Sequence, residues 1–458
     1  MSSTLSPVGL VRQVRADSLT RNSVGIMGTS VVNAGLGYIY WTLAARLMPA
    51  SAVGLGSAMV SAMVILSLAV HMGVGGGLTA RLPRRASREE WLLTVLSALG
   101  ACTAVTFALA AAALFPLAFA LGPLHALATD PALAVWFVLG AAGWTGSGLL
   151  DYIFIAQRSS NFMFARNAVA SAVKLAALLA VTAFGHPGAT DILATWSLSA
   201  LVGMVYGLVI CHRRFHRLGT VRINTARWRS SGAELMLLAR PSFGHHAISV
   251  GGLIPTYLLP VVVTTRLGTQ DNAYFYVTWM VGSSIFMISP AVSSAIFAEG
   301  SHDDRGLRRL ALRSLRIIMA MVGPATLVVA AAGIPILEIF GPRYASAGYG
   351  LLIILLLSSF PDTVTNIAVA TLRVRGRLRT AAALNGCMAV ISVGGAWIAA
   401  PRLGIVGAGL AWLGAQTAGA VAVVALRQVL WPPKDPAAAP SMNASGMNTA
   451  TVLADGAR

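Results

Sequence analysis

Charge is scarce in this chain. Of 458 residues only 10 % are Asp, Glu, Lys or Arg, against about 25 % in an ordinary soluble domain. With 56 % hydrophobic residues and a mean hydropathy of +0.74, a soluble globular protein is excluded and lipid becomes the solvent. Lysine is almost missing: Lys174 and Lys434 are the only two, so a net charge of +18 is carried by arginine. Cys102, Cys211 and Cys387 are far apart, without C-x-x-C or metal-ligand spacing, and read as small apolar fillers. Neither lysine follows a glycine, so no phosphate-binding loop of the Gly-Lys-Ser/Thr type exists. No G-x-S-x-G or H-E-x-x-H is present, and the carboxylates Asp130, Asp191 and Asp271 stand singly. These absences argue against an enzyme, against a bound metal and against any cofactor.

What is there is long apolar runs. A membrane-crossing helix needs about 20 mostly apolar residues, because every backbone amide must be satisfied within it. Twelve runs qualify: 24–45, 51–79, 91–121, 132–156, 166–184, 191–211, 241–264, 273–298, 317–340, 348–372, 380–400 and 405–426. The first is too long for a signal-peptide core of about 7 to 15 residues. Sorting the basic residues into alternate connections puts 28 of the 33 on one side, and leaves Arg46, Arg266, Arg343 and Arg402 on the other. The positive-inside rule then predicts a multi-pass protein of the plasma (inner) membrane with both termini cytoplasmic. Topology and anionic headgroups account for the basic excess, so nucleic acid is not an expected partner.

The chain divides into a cytoplasmic segment 1–23, a six-helix lobe 24–211, a basic linker 212–240, a second lobe 241–426 and a tail 427–458. From Trp431 the tail is rich in Pro, Ala, Ser and Asn and is expected to be disordered. Arg305 to Arg316 has helical spacing of Leu307, Leu310, Ala311 and Leu315, which predicts an interfacial helix outside the spans. Val8 to Leu19 has a weaker form of the pattern.

The lobes repeat one another at a separation of about 216 to 220 residues. Arg46-Leu47 falls on Arg266-Leu267, Asp151 to Arg158 on Asn366 to Arg373, Asn167 on Asn385 and Trp196 on Trp412. Six spans separate the copies, and an even number preserves orientation. The expected fold is therefore all-α, with twelve transmembrane helices in two parallel repeats forming a V-shaped, two-lobe transporter.

Ionisable groups inside spans are the functional candidates, because a charge near mid-bilayer costs about 2.5 to 3.5 kcal/mol on insertion scales. Lys174 lies about one third along span 5. Asp362 follows Pro361 near the middle of span 10, with Asn366 one turn on along the same face. Asp151 lies in the arginine-rich half of span 4, where a local pair with Arg158 is the competing account. Span 7 begins Arg240-Pro241-Ser242-Phe243-Gly244-His245-His246 and carries Gly251, Gly252, Pro255 and Pro260, so it should bend beside a cavity. Its adjacent histidines point about 100° apart, so one of the two is expected to pack. The glycines Gly73, Gly75, Gly76 and Gly77 predict close helix packing, and Tyr38, Tyr40 and Trp41 a site half at the membrane interface and half able to stack on sugars.

The stretch Leu43 to Arg81, with Arg46, Leu47, Pro49, Gly54, Gly73 and Arg81, resembles the first-to-second helix region of polysaccharide biosynthesis proteins. These are the oligosaccharide flippases of the multidrug, oligosaccharidyl-lipid and polysaccharide exporter superfamily. Spans 4 and 5, with Asp151, Arg158, Arg166, Asn167 and Lys174, and the start of span 7 are similar too. The resemblance implies alternating access and movement of a polyprenyl-pyrophosphate-linked oligosaccharide between leaflets, among membrane lipids and alongside a polysaccharide polymerase and glycosyltransferases. On that reading Arg21 and Arg240, which open spans 1 and 7, together with His245 and Lys174, bind substrate. Asp362, Asp151 and Asn366 serve proton or sodium coupling. Two alternatives stay open: an ion-coupled multidrug antiporter of the same fold, and a non-transporting scaffold for envelope assembly.

Overall fold

The computed structural model describes residues 18–85, 87–119, 122–185, 187–215, 231–293 and 307–426, and among them every regular element is helical. Eleven long helices follow one another: α1 (Ser18–Leu47), α2 (Ala50–Arg81), α3 (Arg88–Ala118), α4 (Pro131–Ala156), α5 (Ser160–Phe184), α6 (Ala189–Phe215), α7 (Ser231–Leu267), α8 (Thr269–Phe286), α9 (Leu307–Ala331), α10 (Pro342–Val374) and α11 (Leu378–Ala425). Among the described residues ten helical stretches are long and apolar enough to cross a membrane. A straight helix of 48 residues, the length of α11, would run about 72 Å, more than twice the hydrocarbon thickness. It turns back at Gly404, whose φ of 62° and ψ of −152° belong to a region open essentially to glycine. The two limbs then pack together, a Cβ on Gly395 falling 3.1 Å from Ala411. With α1 and with α11 counted as two limbs, twelve long helices result, and the protein is a multi-pass membrane protein.

Local chemistry sets the ends. Ser87 caps α3 by accepting the Glu90 amide at 3.2 Å, and Asp130 caps α4 by accepting the amides of Ala132 and Leu133, with Pro131 in the first turn. Several helix starts precede the expected ones, α1 at Ser18 rather than 24 and α10 at Pro342 rather than 348 among them. α5 starts at Ser160 rather than 166, and α7 at Ser231 rather than 241. The stretch around Arg305–Arg316 is not a separate interfacial helix: from Leu307 onward it is the first part of α9. No Gly or Pro interrupts Leu307 to Val322, so the helical ladder continues, and arginines at its end can extend to the interface on their methylene stems. The tail from Trp431, and Val8 to Leu19 up to residue 17, lie outside the described residues.

α1–α6 and α7–α11 form two lobes joined chiefly through α2, which packs on α7 and α8. Glycine permits the approach: a Cβ on Gly77 would strike the Leu238 backbone, and one on Gly54 the Thr269 carbonyl. Polar links clamp both ends of this seam. At the arginine-poor end Asn272 donates to the Gly54 carbonyl at 2.7 Å and to Ser57 Oγ at 3.1 Å, while Arg46 donates to the carbonyls of Glu338 and Ile339 at 2.6 and 2.7 Å. At the arginine-rich end Arg85 pairs with Glu234, which also accepts from Thr94 at 2.9 Å. α1 behaves differently. Near its arginine-poor end Tyr38 donates to the Met280 carbonyl at 2.7 Å and Trp41 meets Tyr276 at 4.7 Å. Toward its arginine-rich end it leans mainly on α5, with open space at Gly28 and Val31 72 % exposed. Tyr40, against Thr195 and Trp196 of α6, and Trp41, against Tyr276 of α8, are both buried, which corrects the interfacial expectation for them.

Candidate functional site: two equivalent cavities

Each lobe holds a polar cavity, and the two occupy equivalent places in the repeat. In the first lobe Asn33, His71, Asp151, Arg166, Asn167, Ser171, Lys174 and Trp196 are among the residues lining about 370 Å³. In the second, Gly251, Gly252, Pro255, Asp362, Asn366, Asn385, Trp412 and Gln416 are among those lining about 80 Å³. Asp151 and Asn366, Asn167 and Asn385, and Trp196 and Trp412 are the pairs aligned by the sequence repeat, and all six face these cavities.

The first cavity is built around an ion pair. Arg166 Nη2 lies 2.7 Å from Asp151 Oδ2, and Asn167 donates to Asp151 Oδ1 at 3.1 Å. Asn167 Oδ1 in turn accepts from Arg166 at 3.0 Å and from Asn33 on α1 at 3.1 Å. Asp151 thus pairs with Arg166 and not with Arg158. The register of α5 explains this: Arg166 is about 9 Å along the helix from Ser160, level with Asp151, which sits about 7.5 Å from the end of α4.

Lys174 lies on the same face of α5 two turns further on, about 21 Å from the helix start and so past its middle rather than one third along. It is 8 % exposed, and its ammonium sits 4.0 Å from the ring centre of Trp196 and 5.4 Å from that of Tyr40. Trp196 stacks on Trp144 at 5.5 Å, and the Tyr40 hydroxyl shares a 2.7 Å hydrogen bond with Thr195. Among the described residues no carboxylate forms an ion pair with Lys174. His71 completes this wall, its Nδ1 held by the Ser67 carbonyl at 2.8 Å and hydroxyl at 3.1 Å.

The second cavity has the opposite character. Asp362 is 6 % exposed, and its Oδ2 is buried without a hydrogen-bond partner. Asn366 donates to the Asp362 backbone carbonyl at 3.0 Å, which ties the two together one turn apart as expected. Asn385 donates to the Ile248 carbonyl at 2.8 Å, and Thr365 to Gln416 at 3.0 Å. Counting along the repeat, Leu384 takes the place of Arg166 and Ser392 that of Lys174, whereas Asp362 falls where the first lobe has Ser147.

Of the residues expected at the mouth, Arg240 is exposed but stands about 13.5 Å into α7 rather than at its start. Arg21 lies on α1, its side chain outside the described residues. His245 stands close to Arg373, which donates to Ser249 at 3.3 Å. His246 is the packing histidine, its ring 3.3 Å from where a Gly73 Cβ would be. Sequence reasoning passed over Asn33 and Arg373. Asn33, a lone amide within an apolar run, was the available signal. Among the described residues no group of three His, Cys, Asp or Glu gathers as a metal site.

Two lobes related as parallel repeats, clamped at a seam and each hollowed by a polar cavity, make up an all-helical membrane fold. Solved structures share it. A multidrug resistance MATE family transporter of the MOP superfamily, inward-facing, superposes with a TM-score of 0.68 at 18 % identity, over 87 % of this chain and 94 % of that one. The lipid II flippase MurJ, in an inward closed conformation, also gives 0.68 at 12 % identity, over 87 % and 86 %. A MOP superfamily transporter from Pyrococcus furiosus, described as having a binding pocket of reverse polarity, gives 0.61 at 15 % identity, over 90 % and 95 %. No curated protein matches the chain. Residues 19–299, well over half of the sequence, match the polysaccharide biosynthesis protein family, and the chain belongs to it.

Proposed function

We propose that this protein moves a polyprenyl-pyrophosphate-linked oligosaccharide from the inner to the outer leaflet of the plasma membrane by alternating access, for cell-surface polysaccharide synthesis. Both termini are then cytoplasmic, and the arginine-rich end is the inner one. The observation that carries this reading is membership of the polysaccharide biosynthesis family across residues 19–299. Its geometry is supportive. The open side of α1 at the arginine-rich end is a route by which a lipid-anchored headgroup enters sideways while its tail stays in the bilayer. Arg21 and Arg240 at the starts of the two repeats, with His245 beside Arg373, meet the diphosphate there, where guanidinium groups can bind it bidentately. Lys174 contacts the sugar part deeper in the first lobe. Asp362 with Asn366 takes the coupling proton or sodium ion in the second lobe, and Asp151 ties the first-lobe network to it. A polymerase and glycosyltransferases are the natural neighbours of such a protein, and it catalyses no covalent step.

The Asp362 Oδ2 atom, buried without a hydrogen-bond partner, favours one second reading, an ion-coupled antiporter of cationic compounds. Reconstitution into liposomes separates the two. Translocation of a lipid-linked oligosaccharide without uptake of a cationic dye is the expected result; dye uptake without lipid movement overturns the flippase reading. A scaffold would do neither.

A further inference from the structure

We infer that the first-lobe cavity binds the carboxylate of an acidic sugar, with Lys174 as its counter-ion, so that the transported saccharide carries hexuronate or an equivalent acid. This rests on the flippase reading and narrows its substrate. The starting point is an imbalance of charge. Both Asp151 oxygens are engaged, Oδ2 by Arg166 and Oδ1 by Asn167, so this carboxylate is already satisfied. Lys174 lies in the same cavity with two aromatic rings as its neighbours and no carboxylate of its own. Arg166 Nε is likewise buried without an acceptor. Ring faces offset only part of the cost of holding an ammonium ion away from water, whereas an anion arriving in the cavity offsets far more.

Size and depth select the kind of anion. About 370 Å³ falls in the range of small-molecule sites, and the Trp144–Trp196 stack gives the cavity a flat apolar wall beside the cation. Ser171 and Lys174 form a polar stripe along one face of α5, suited to hydroxyls below a carboxylate. Lys174 is about 21 Å from the arginine-rich end of its helix. A diphosphate held at that end leaves the saccharide, not the phosphate, to reach the lysine. The small second-lobe cavity, about 80 Å³ around an acid, has neither the room nor the charge for this ligand.

The test uses the full-length protein in lipid nanodiscs and follows tryptophan fluorescence. It is titrated with a hexuronate oligosaccharide, with the methyl ester of the same oligosaccharide, and with inorganic pyrophosphate. The expected result is a saturable change with the acid, at least tenfold weaker with the ester, abolished in Lys174→Gln and largely kept in Lys174→Arg. Lys174→Met, matched in length and apolar, should lose binding while melting at or above the native temperature, which separates the effect from misfolding. Equal response to acid and ester, acid binding that survives Lys174→Gln and Lys174→Met, or Lys174-dependent binding of pyrophosphate alone would each overturn the inference. Translocation of a neutral and of a hexuronate-bearing lipid-linked oligosaccharide is scored in parallel. If lipid moves but the acid does not bind, the acidic-sugar inference fails and the flippase reading stands; if no lipid-linked substrate moves, the flippase reading itself fails.

Discussion

The two cavities share a backbone plan and differ in charge. Aligned positions read Asp151, Arg166 and Lys174 in the first lobe and Asn366, Leu384 and Ser392 in the second, while Asp362 stands against Ser147. One cavity therefore holds an ion pair plus an unpaired cation, and the other a single unpaired acid. A duplicated fold makes such divergence cheap, because the aromatic and amide positions keep the architecture while the charged positions vary. Trp196 and Trp412 illustrate this, each lining its cavity, the former under an ammonium ion and the latter against Trp279 and Phe286 at 5.2 and 5.8 Å. The proposed division of labour, substrate in one lobe and coupling ion in the other, follows from that contrast.

Breaking the first cavity should have the largest effect. Arg166→Met leaves Asp151 in the bilayer without its partner and is expected to cost about 3 to 5 kcal/mol, read as a lower melting temperature in detergent. Adding Asp151→Leu should recover most of the loss, and a double variant no more stable than Arg166→Met would show that the pair is not the organising contact. Planting the same chemistry in the second lobe sharpens the contrast. Asn366→Asp places a second acid beside Asp362 with no arginine opposite, and about 2.5 to 3.5 kcal/mol of destabilisation is expected. Leu384→Arg on that background should restore stability if the register of the repeat is right. Gly404→Ala forces a side chain into a region open essentially to glycine and should cost about 1 to 3 kcal/mol, less than either change in charge. Smallest is Asp130→Ala, which removes the cap of α4 for about 1 kcal/mol and should leave both cavities intact by the fluorescence titration.

Much of this was legible in the residues. The count of twelve helices follows from hydropathy and arginine sidedness, and the repeat alone places Asp151, Asn167 and Trp196 against Asn366, Asn385 and Trp412. The glycine run from Gly73 announced a close approach, and the structure supplies its partners in Leu238, Ser242 and His246. The misses have physical causes. Arg166 and Asn167 look like a membrane boundary in a hydropathy window, which starts span 5 at 166 and places Lys174 too shallow. The partners of Lys174 come from α1 and α6, and ring packing across helices leaves no periodic mark in the chain. Asp151 was weighed against Arg158, the nearer cation in sequence, although the turn after α4 carries Arg158 away with a φ of 51° and returns Arg166 to its level.

The most direct measurement is gradient-driven translocation of a fluorescent lipid-linked oligosaccharide in liposomes, comparing the native protein with Asp362→Asn. The account predicts that an imposed proton or sodium gradient accelerates the native protein about tenfold, equivalent to 1.4 kcal/mol of coupling, and that Asp362→Asn retains only the gradient-independent rate. Full acceleration in Asp362→Asn would contradict the assignment of the coupling ion to the second lobe, and with it the division of labour between the cavities.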